Sequence, residues 1–183
     1  MKTNLSFYNL IKFLEAAGRL KTTSRAGWVD VGIRQPESVA DHTFRTAILC
    51  MIYADIEDLD QLKLVRMALI HDLPEAVTGD LTPSMKNRES KGREDAAMNQ
   101  ILNLLPEKQR KKYLTDWNEY QKGKTKEAKT VKQLEKLEMA LQAKEYEKAK
   151  STRRSLKRFI KSAEKAITRP QLKRLLSCIL EEQ

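Results

Sequence analysis

Residues that break helices are scarce in this sequence, and that scarcity constrains the fold more than any other feature. Only 6 glycines and 5 prolines interrupt 183 residues dominated by Leu, Ala, Lys, Glu and Arg. Those side chains lose little freedom in a helix, so helix is expected nearly throughout. No internal repeat, low-complexity tract or convincing strand pattern breaks the succession. The length suits one domain with its own core, comprising residues 1–150 with basic C-terminal helices, 151–183, packed on it or extending it.

The helices can be placed from their punctuation. Leu5 to Leu20 carries Leu5, Tyr8, Ile11 and Leu14 near the 3.6-residue period. Lys21 to Gln35, with Gly27 and Gly32, reads as an irregular connection. Ser38 is suited to cap a helix running to about Ile56, and a third starts near Asp60 and carries Leu62, Val65, Ala68 and Leu69 into His71. Pro74 ends that helix near Leu73, suits the start of a short new one, and Gly79 closes it. Leu81 to Lys91 reads as a loop. Further helices are expected at Glu94–Leu105, Glu107–Tyr120, Glu127 to about Lys150, Ser155–Thr168 and Gln171–Leu180.

Several functional classes are set aside by composition. No segment approaches the roughly 20 apolar residues that cross a bilayer, and the best run, Ala47 to Ala54, is far too short. The N-terminus mixes charged with apolar residues, unlike a secretory signal, so the expectation is a cytoplasmic protein without a membrane partner. Cys50 and Cys178 both fall in apolar helical stretches and read as reduced core thiols. The net charge of +10 is concentrated: eleven Lys or Arg and two Glu lie between Glu147 and Arg174. A positive field concentrates anions. A solvated helix face is the simpler reading of that segment.

The two histidines are the chemically pointed residues. His42 ends Glu37-Ser38-Val39-Ala40-Asp41-His42, near the start of its helix. His71 opens His71-Asp72-Leu73-Pro74-Glu75-Ala76-Val77-Thr78-Gly79-Asp80 at a helix end. The run Met67 to Ile70 carries His71-Asp72 toward the interior, where a carboxylate needs a cation or hydrogen bonds. Nitrogen and oxygen donors together suit a transition metal. A lone histidine on an apolar helix is more often a satisfied core residue, and the bare His-Asp pair is a weak signal.

These two motifs resemble the HD-domain phosphohydrolase superfamily, and within it the 5′-deoxynucleotidases, including the HD domain-containing protein 2 branch. Arg25-Ala26-Gly27-Trp28-Val29, Gly79-Asp80-Leu81-Thr82-Pro83, Leu104-Leu105-Pro106-Glu107, Gln133-Leu134-Glu135-Lys136-Leu137-Glu138-Met139 and Leu141-Gln142-Ala143-Lys144-Glu145-Tyr146-Glu147 share in it. The likeness spans about Leu5 to Glu147 and leaves the basic tail unmatched.

The resemblance implies an all-α HD-domain fold with one divalent metal (Co, Mn, Mg, Fe or Zn) in a central cleft. The matching ligand positions are His42, His71, Asp72 and Glu135. Glu135 departs from the family's usual Asp by one methylene. It reaches the metal after a small backbone adjustment, which is the expectation favoured here, or binds through water, or weakens the site; as an isolated residue it reads as a solvated helix charge. Glu75 resembles the residue that orients or deprotonates the attacking water, though helix dipoles also favour a first-turn glutamate. Arg25 resembles the phosphate-contacting arginine. Trp28 and Asp80 resemble residues that shape the sugar site, Asp80 toward the 3′-hydroxyl and Trp28 against a 2′-hydroxyl; apart from the resemblance Trp28 reads better as a core or loop-anchoring aromatic, and both roles can hold at once.

The implied reaction is hydrolysis of a deoxyribonucleoside 5′-monophosphate to deoxyribonucleoside and phosphate. The resemblance also implies a homodimer, for which the amphipathic C-terminal helices could supply an interface, although a monomer also fits. Three other readings stand beside it. One is an HD hydrolase of a triphosphate, alarmone or cyclic nucleotide. Another is nucleic-acid binding through Lys148 to Arg174, against which stands its single aromatic residue, Phe159. The last is a metal-binding scaffold without catalysis.

Overall fold

The computed structural model describes residues 6–181, and within them the chain is helical, with a lone bridge between Ser24 and Ser38. Ten helices follow in order: α1 Phe7–Arg19, α2 Ala26–Asp30, α3 Val39–Glu57, α4 Gln61–Ile70, α5 Glu75–Thr78, α6 Arg88–Leu102, α7 Glu107–Lys122, α8 Lys126–Lys148, α9 Lys157–Ala166 and α10 Pro170–Glu181.

Local chemistry sets these boundaries. Ser38 Oγ accepts from the Asp41 amide at 3.1 Å, and Asp41 Oδ2 accepts from the Ser38 amide at 2.8 Å, a reciprocal cap that starts α3. Asp60 accepts from the Lys63 amide at 2.9 Å to start α4. Gly79, with φ 72°, ends α5 in a conformation that disfavours a side chain.

Two expected boundaries move. The Lys21–Gln35 connection contains α2, with Arg25 at its N-cap position. The sixth helix begins at Arg88 rather than Glu94 and ends at Leu102 rather than Leu105. Asn87 and Ser90 cap each other there, each accepting the other's amide at 2.8 Å.

The long helix α8 is the spine. It packs against α3, α4, α7, α9 and α10, burying Ala128, Val131, Leu134, Leu137 and Ala140, with Leu141 packed at the edge of the same core. A fully buried leucine contributes about 1.5–3 kcal/mol. A second cluster joins Ala16, Leu20, Val39, Leu73, Met98, Leu102 and Trp117 beneath α5. The third gathers Trp28, Val31, Met139, Tyr146, Leu156 and Phe159 between α2, α8 and α9.

The apolar stripes do not all turn inward, and one expected core thiol is exposed. On α1, Tyr8, Ile11 and Leu14 point outward, and Ala16 and Leu20 are buried instead; Leu5 lies outside the described residues. On α4, Leu62 and Leu69 are exposed while Leu64, Met67, Ala68 and Ile70 are buried. Both helices carry apolar residues on two faces, so periodicity alone does not choose the inner one. Cys50 is buried, but Cys178 is exposed, and both are free thiols.

The basic C-terminal helices turn their apolar sides inward. Phe159, Ala163, Leu172, Leu176 and Ile179 are buried, which removes these faces as an interface between copies. Some of their cations are paired within the chain, Arg158 with Asp30 at 3.6 Å and Arg169 with Glu57 at 3.5 Å. No helix of the described residues is long and apolar enough to cross a membrane.

Candidate active site and metal centre

Arg25, Trp28, His42, His71, Asp72, Glu75, Asp80 and Glu135 all line one cavity of about 480 Å³. The helix geometry explains the convergence. His42 lies in the first turns of α3, His71 and Asp72 close α4, Glu75 opens α5, and Glu135 sits midway along α8.

Three of these residues form a tight cluster: the ligand atoms of His42, His71 and Asp72 all lie within 4.8 Å of one another. Asp72 Oδ2 is 3.1 Å from His71 Nε2 and 4.0 Å from His42 Nε2. Glu135 Oε2 is 4.0 Å from His71 Nε2. Each imidazole is held from behind. His71 Nδ1 donates to the Ala68 carbonyl at 2.6 Å, and His42 Nδ1 faces buried Glu138 in a short contact. That arrangement leaves both Nε2 atoms to face the cluster.

The donor set suits a cation. His71 Nε2 is buried and makes no hydrogen bond, although Asp72 Oδ2 lies beside it. A lone-pair nitrogen against a carboxylate oxygen calls for positive charge between them. Without another cation, a proton must serve: burial opposes charge on His71, yet Asp72 and Glu135 outweigh it and raise its pKa. The residues therefore fit a divalent ion with mixed nitrogen and oxygen ligands.

The surrounding charges point the same way. Burial alone would raise the Asp72 carboxyl, but His71, Arg25 and His42 hold it well below the usual range. For His42, burial with Arg25 and His71 depresses the imidazole well below its ordinary value, so it is neutral and able to ligate. Burial would also raise Glu135, but Lys136 and His71 bring it down. Glu75 is pushed up to about 10 by burial, with Asp72 and Asp80 adding to it, and its Oε2 is buried without a partner. A cation held by its neighbours is the counter-charge that would return it to the ionised form.

The remaining expected residues have two sides to their roles. Arg25 Nη1 donates to Asp72 Oδ2 at 3.0 Å, and Arg25 Nε lies 4.0 Å from Asp80 Oδ2. Asp80 Oδ2 also accepts the Ala26 amide at 2.6 Å and so anchors the start of α2. Trp28 is almost wholly buried, between Tyr146 and Phe159. Its Nε1 donates to Glu37 Oε1 at 2.8 Å. It is a packed anchor that also forms part of the cavity wall.

Several residues at the site have no role in the motif reading. Tyr120 on α7 donates its hydroxyl to Glu135 Oε2, and Lys136 approaches Glu135 Oε1 at 3.3 Å. Glu138 holds His42 with one oxygen and accepts from Arg45 Nε with the other at 2.9 Å. Arg158 and Phe159 bring α9 to the cavity. Glu138 did leave a trace in the sequence. It follows Glu135 by three residues in the same helical motif, which puts both on one face of α8. That spacing gives no hint of its partner, which lies on α3.

A family model described as HD domain matches residues 17–174. That span takes in α9, beyond the stretch over which the resemblance could be traced in the sequence. The chain is 40% identical over 171 residues to 5′-deoxynucleotidase HDDC2 from Homo sapiens, covering 92% of this chain and 83% of that one. It is 36% identical over 183 residues to 5′-deoxynucleotidase hdd1 from Schizosaccharomyces pombe, covering 96% and 90%. Among solved structures, a conserved hypothetical protein from Pyrococcus furiosus superposes with a TM-score of 0.72 at 34% identity, over 94% of this chain and 97% of that one.

Proposed function

The chain belongs to the HD-domain family, and from that membership and its cavity we propose that it is a metal-dependent phosphomonoesterase acting on deoxyribonucleoside 5′-monophosphates. The observation that carries the reading is the cluster of His42, His71 and Asp72, with Arg25 and Glu75 facing the same space. His42, His71, Asp72 and Glu135 would hold one divalent ion. When bound, such an ion polarises a phosphoryl oxygen and acidifies a coordinated water.

The chain's own residues supply the rest. Arg25 offers a guanidinium fork to phosphate oxygens; its hold on Asp72 keeps that fork at the cluster. Glu75, ionised once the cluster carries a cation, takes a proton from the attacking water. The water oxygen bonds to phosphorus, the bond from phosphorus to the 5′-oxygen breaks, and the proton taken up by Glu75 passes on, directly or through solvent, to that oxygen, which leaves as the nucleoside hydroxyl. Asp80 is suited to accept from the 3′-hydroxyl, and Trp28, immobilised by Glu37, Tyr146 and Phe159, narrows the sugar side.

The test is product analysis with and without metal. Purified protein stripped with chelator is expected to lose phosphate release from deoxyribonucleoside monophosphates and to recover it with Mn or Co. Activity indifferent to chelation defeats the metal reading. Pyrophosphate or triphosphate as product from deoxyribonucleoside triphosphates, with monophosphates untouched, would move the protein to another hydrolase class.

A homodimer completes the proposal. Its support is the apolar side chains that α1 and α3 expose: Phe7, Tyr8, Ile11 and Leu14 on one, Phe44, Ile48, Met51 and Ile52 on the other. Single exposed apolar residues are ordinary, but four along each of two helices suit faces that a second copy would cover. Sedimentation should show a dimer that Phe44→Glu dissociates; a monomer in the unmodified protein overturns it.

A further inference from the structure

Glu135 is held at both oxygens. Tyr120 donates its hydroxyl to Oε2, and Lys136 Nζ lies 3.3 Å from Oε1. The tyrosine is itself fixed. It is 8% exposed, its ring lies edge-on to His71 with centroids 5.4 Å apart, and Lys132 Nζ sits 4.8 Å from the ring centroid. The turn between α7 and α8 sets the pairing. Gly123, with φ 61°, ends α7; Thr125 caps α8 and donates to Glu119 Oε1 at 2.6 Å.

We propose that Tyr120 is a positioning residue, whose hydroxyl holds the long side chain of Glu135 in place as a ligand beside His71. The proposal rests on the reading of His42, His71, Asp72 and Glu135 as a metal site. A glutamate has one more rotatable bond than an aspartate, so a carboxylate on that stem needs an external anchor to stay aimed. The hydroxyl supplies it without consuming the ligand: a carboxylate oxygen has two lone pairs, and Oε2 keeps one for the side facing His71 Nε2, 4.0 Å away. An aspartate at this position would withdraw its oxygens by about 1.5 Å, one carbon–carbon bond, and leave the hydroxyl out of reach.

The dependence on side-chain length gives a double-mutant cycle. Co²⁺ is titrated into metal-free protein, reading affinity and the visible absorption of the bound ion. Tyr120→Phe keeps the buried ring and is expected to weaken Co²⁺ binding roughly 10- to 100-fold and to change the spectrum. In a Glu135→Asp background the same substitution is expected to change affinity less than about twofold, since the hydroxyl no longer reaches its partner. Unchanged affinity and spectrum in Tyr120→Phe overturn the proposal, as does an equal loss in both backgrounds. Should Tyr120→Phe not fold, Tyr120→Met, which fills the site without a hydroxyl, takes its place: a comparable loss of Co²⁺ affinity supports the proposal and unchanged affinity and spectrum overturn it. An unmodified protein that binds no Co²⁺ overturns the metal reading itself, a failure distinct from the others.

Discussion

Glu138 lies wholly buried behind His42, with one carboxylate oxygen on the imidazole Nδ1 and the other on Arg45. Burial raises the Glu138 carboxyl to about 7, against the pull of Arg45. The pairing fixes the orientation of the ring, with Nε2 turned toward the cluster.

Removing that support should therefore act on the site before it acts on catalysis. Glu138→Ala is expected to lower affinity for Mn or Co roughly 10- to 100-fold. It should also destabilise the fold by about 1–3 kcal/mol, because His42 Nδ1 and part of Arg45 lose their buried partner. Metal titration and urea unfolding measure the two effects; unaltered affinity would show the pairing to be structural only.

Glu75 gives the opposite signature. It opens α5 with an unpartnered buried oxygen facing the cavity, and it is not among the proposed ligands. Glu75→Gln is expected to keep the bound metal while turnover drops roughly 10²- to 10⁴-fold. Metal analysis beside phosphate release separates a lost base from a lost ligand.

Stability of the metal-free protein should respond to pH through Glu37. Its carboxyl rises from 4.5 to about 8, chiefly by burial and then by Glu138. The folded state thus keeps a proton that the unfolded chain releases, so the stabilisation is complete below 4.5 and is lost as pH rises through 8. Glu138 acts in the same sense, whereas His42, with its lowered pKa, weakens the fold as pH falls below 6.5. Glu37→Gln isolates the first contribution. Its unfolding free energy should fall less steeply between about 4.5 and 8, each released proton being worth about 1.4 kcal/mol per pH unit. Parallel curves for the two proteins would remove Glu37 from the account.

The thiols should separate by accessibility. Cys178 is exposed, while Cys50 is buried and its thiol is pushed up to about 12 by burial and Glu135. A thiol reagent is expected to modify one cysteine in native protein and two after unfolding. Fast reaction at both sites in the native state would mean that the core around Cys50 opens readily.

Much of the local structure was legible because it depends on neighbours in the chain. Ser38 caps α3 through Asp41, three residues away, and Pro74 and Gly79 bracket α5. The motif residues were legible for another reason: His42 and His71-Asp72 sit in patterns that resemble those of the HD-domain family, whereas the bare His-Asp pair is a weak signal. Less legible was the direction of each helix. Tyr8, Ile11 and Leu14 follow a helical period and yet face outward, since period describes a stripe and not what covers it.

By itself, then, the sequence determined an all-helical chain, most helix ends and the residue types available for chemistry, all of which follow from backbone propensities and short-range capping. Tertiary structure alone decided who meets whom. Tyr120 meets Glu135 across the α7–α8 turn, Glu138 meets His42 across 96 positions of chain, and Phe159 of the basic tail closes over Trp28. Such pairings depend on packing between helices distant in sequence, which no local pattern specifies, and they determine whether His42 and His71 are two core histidines or two halves of one metal site.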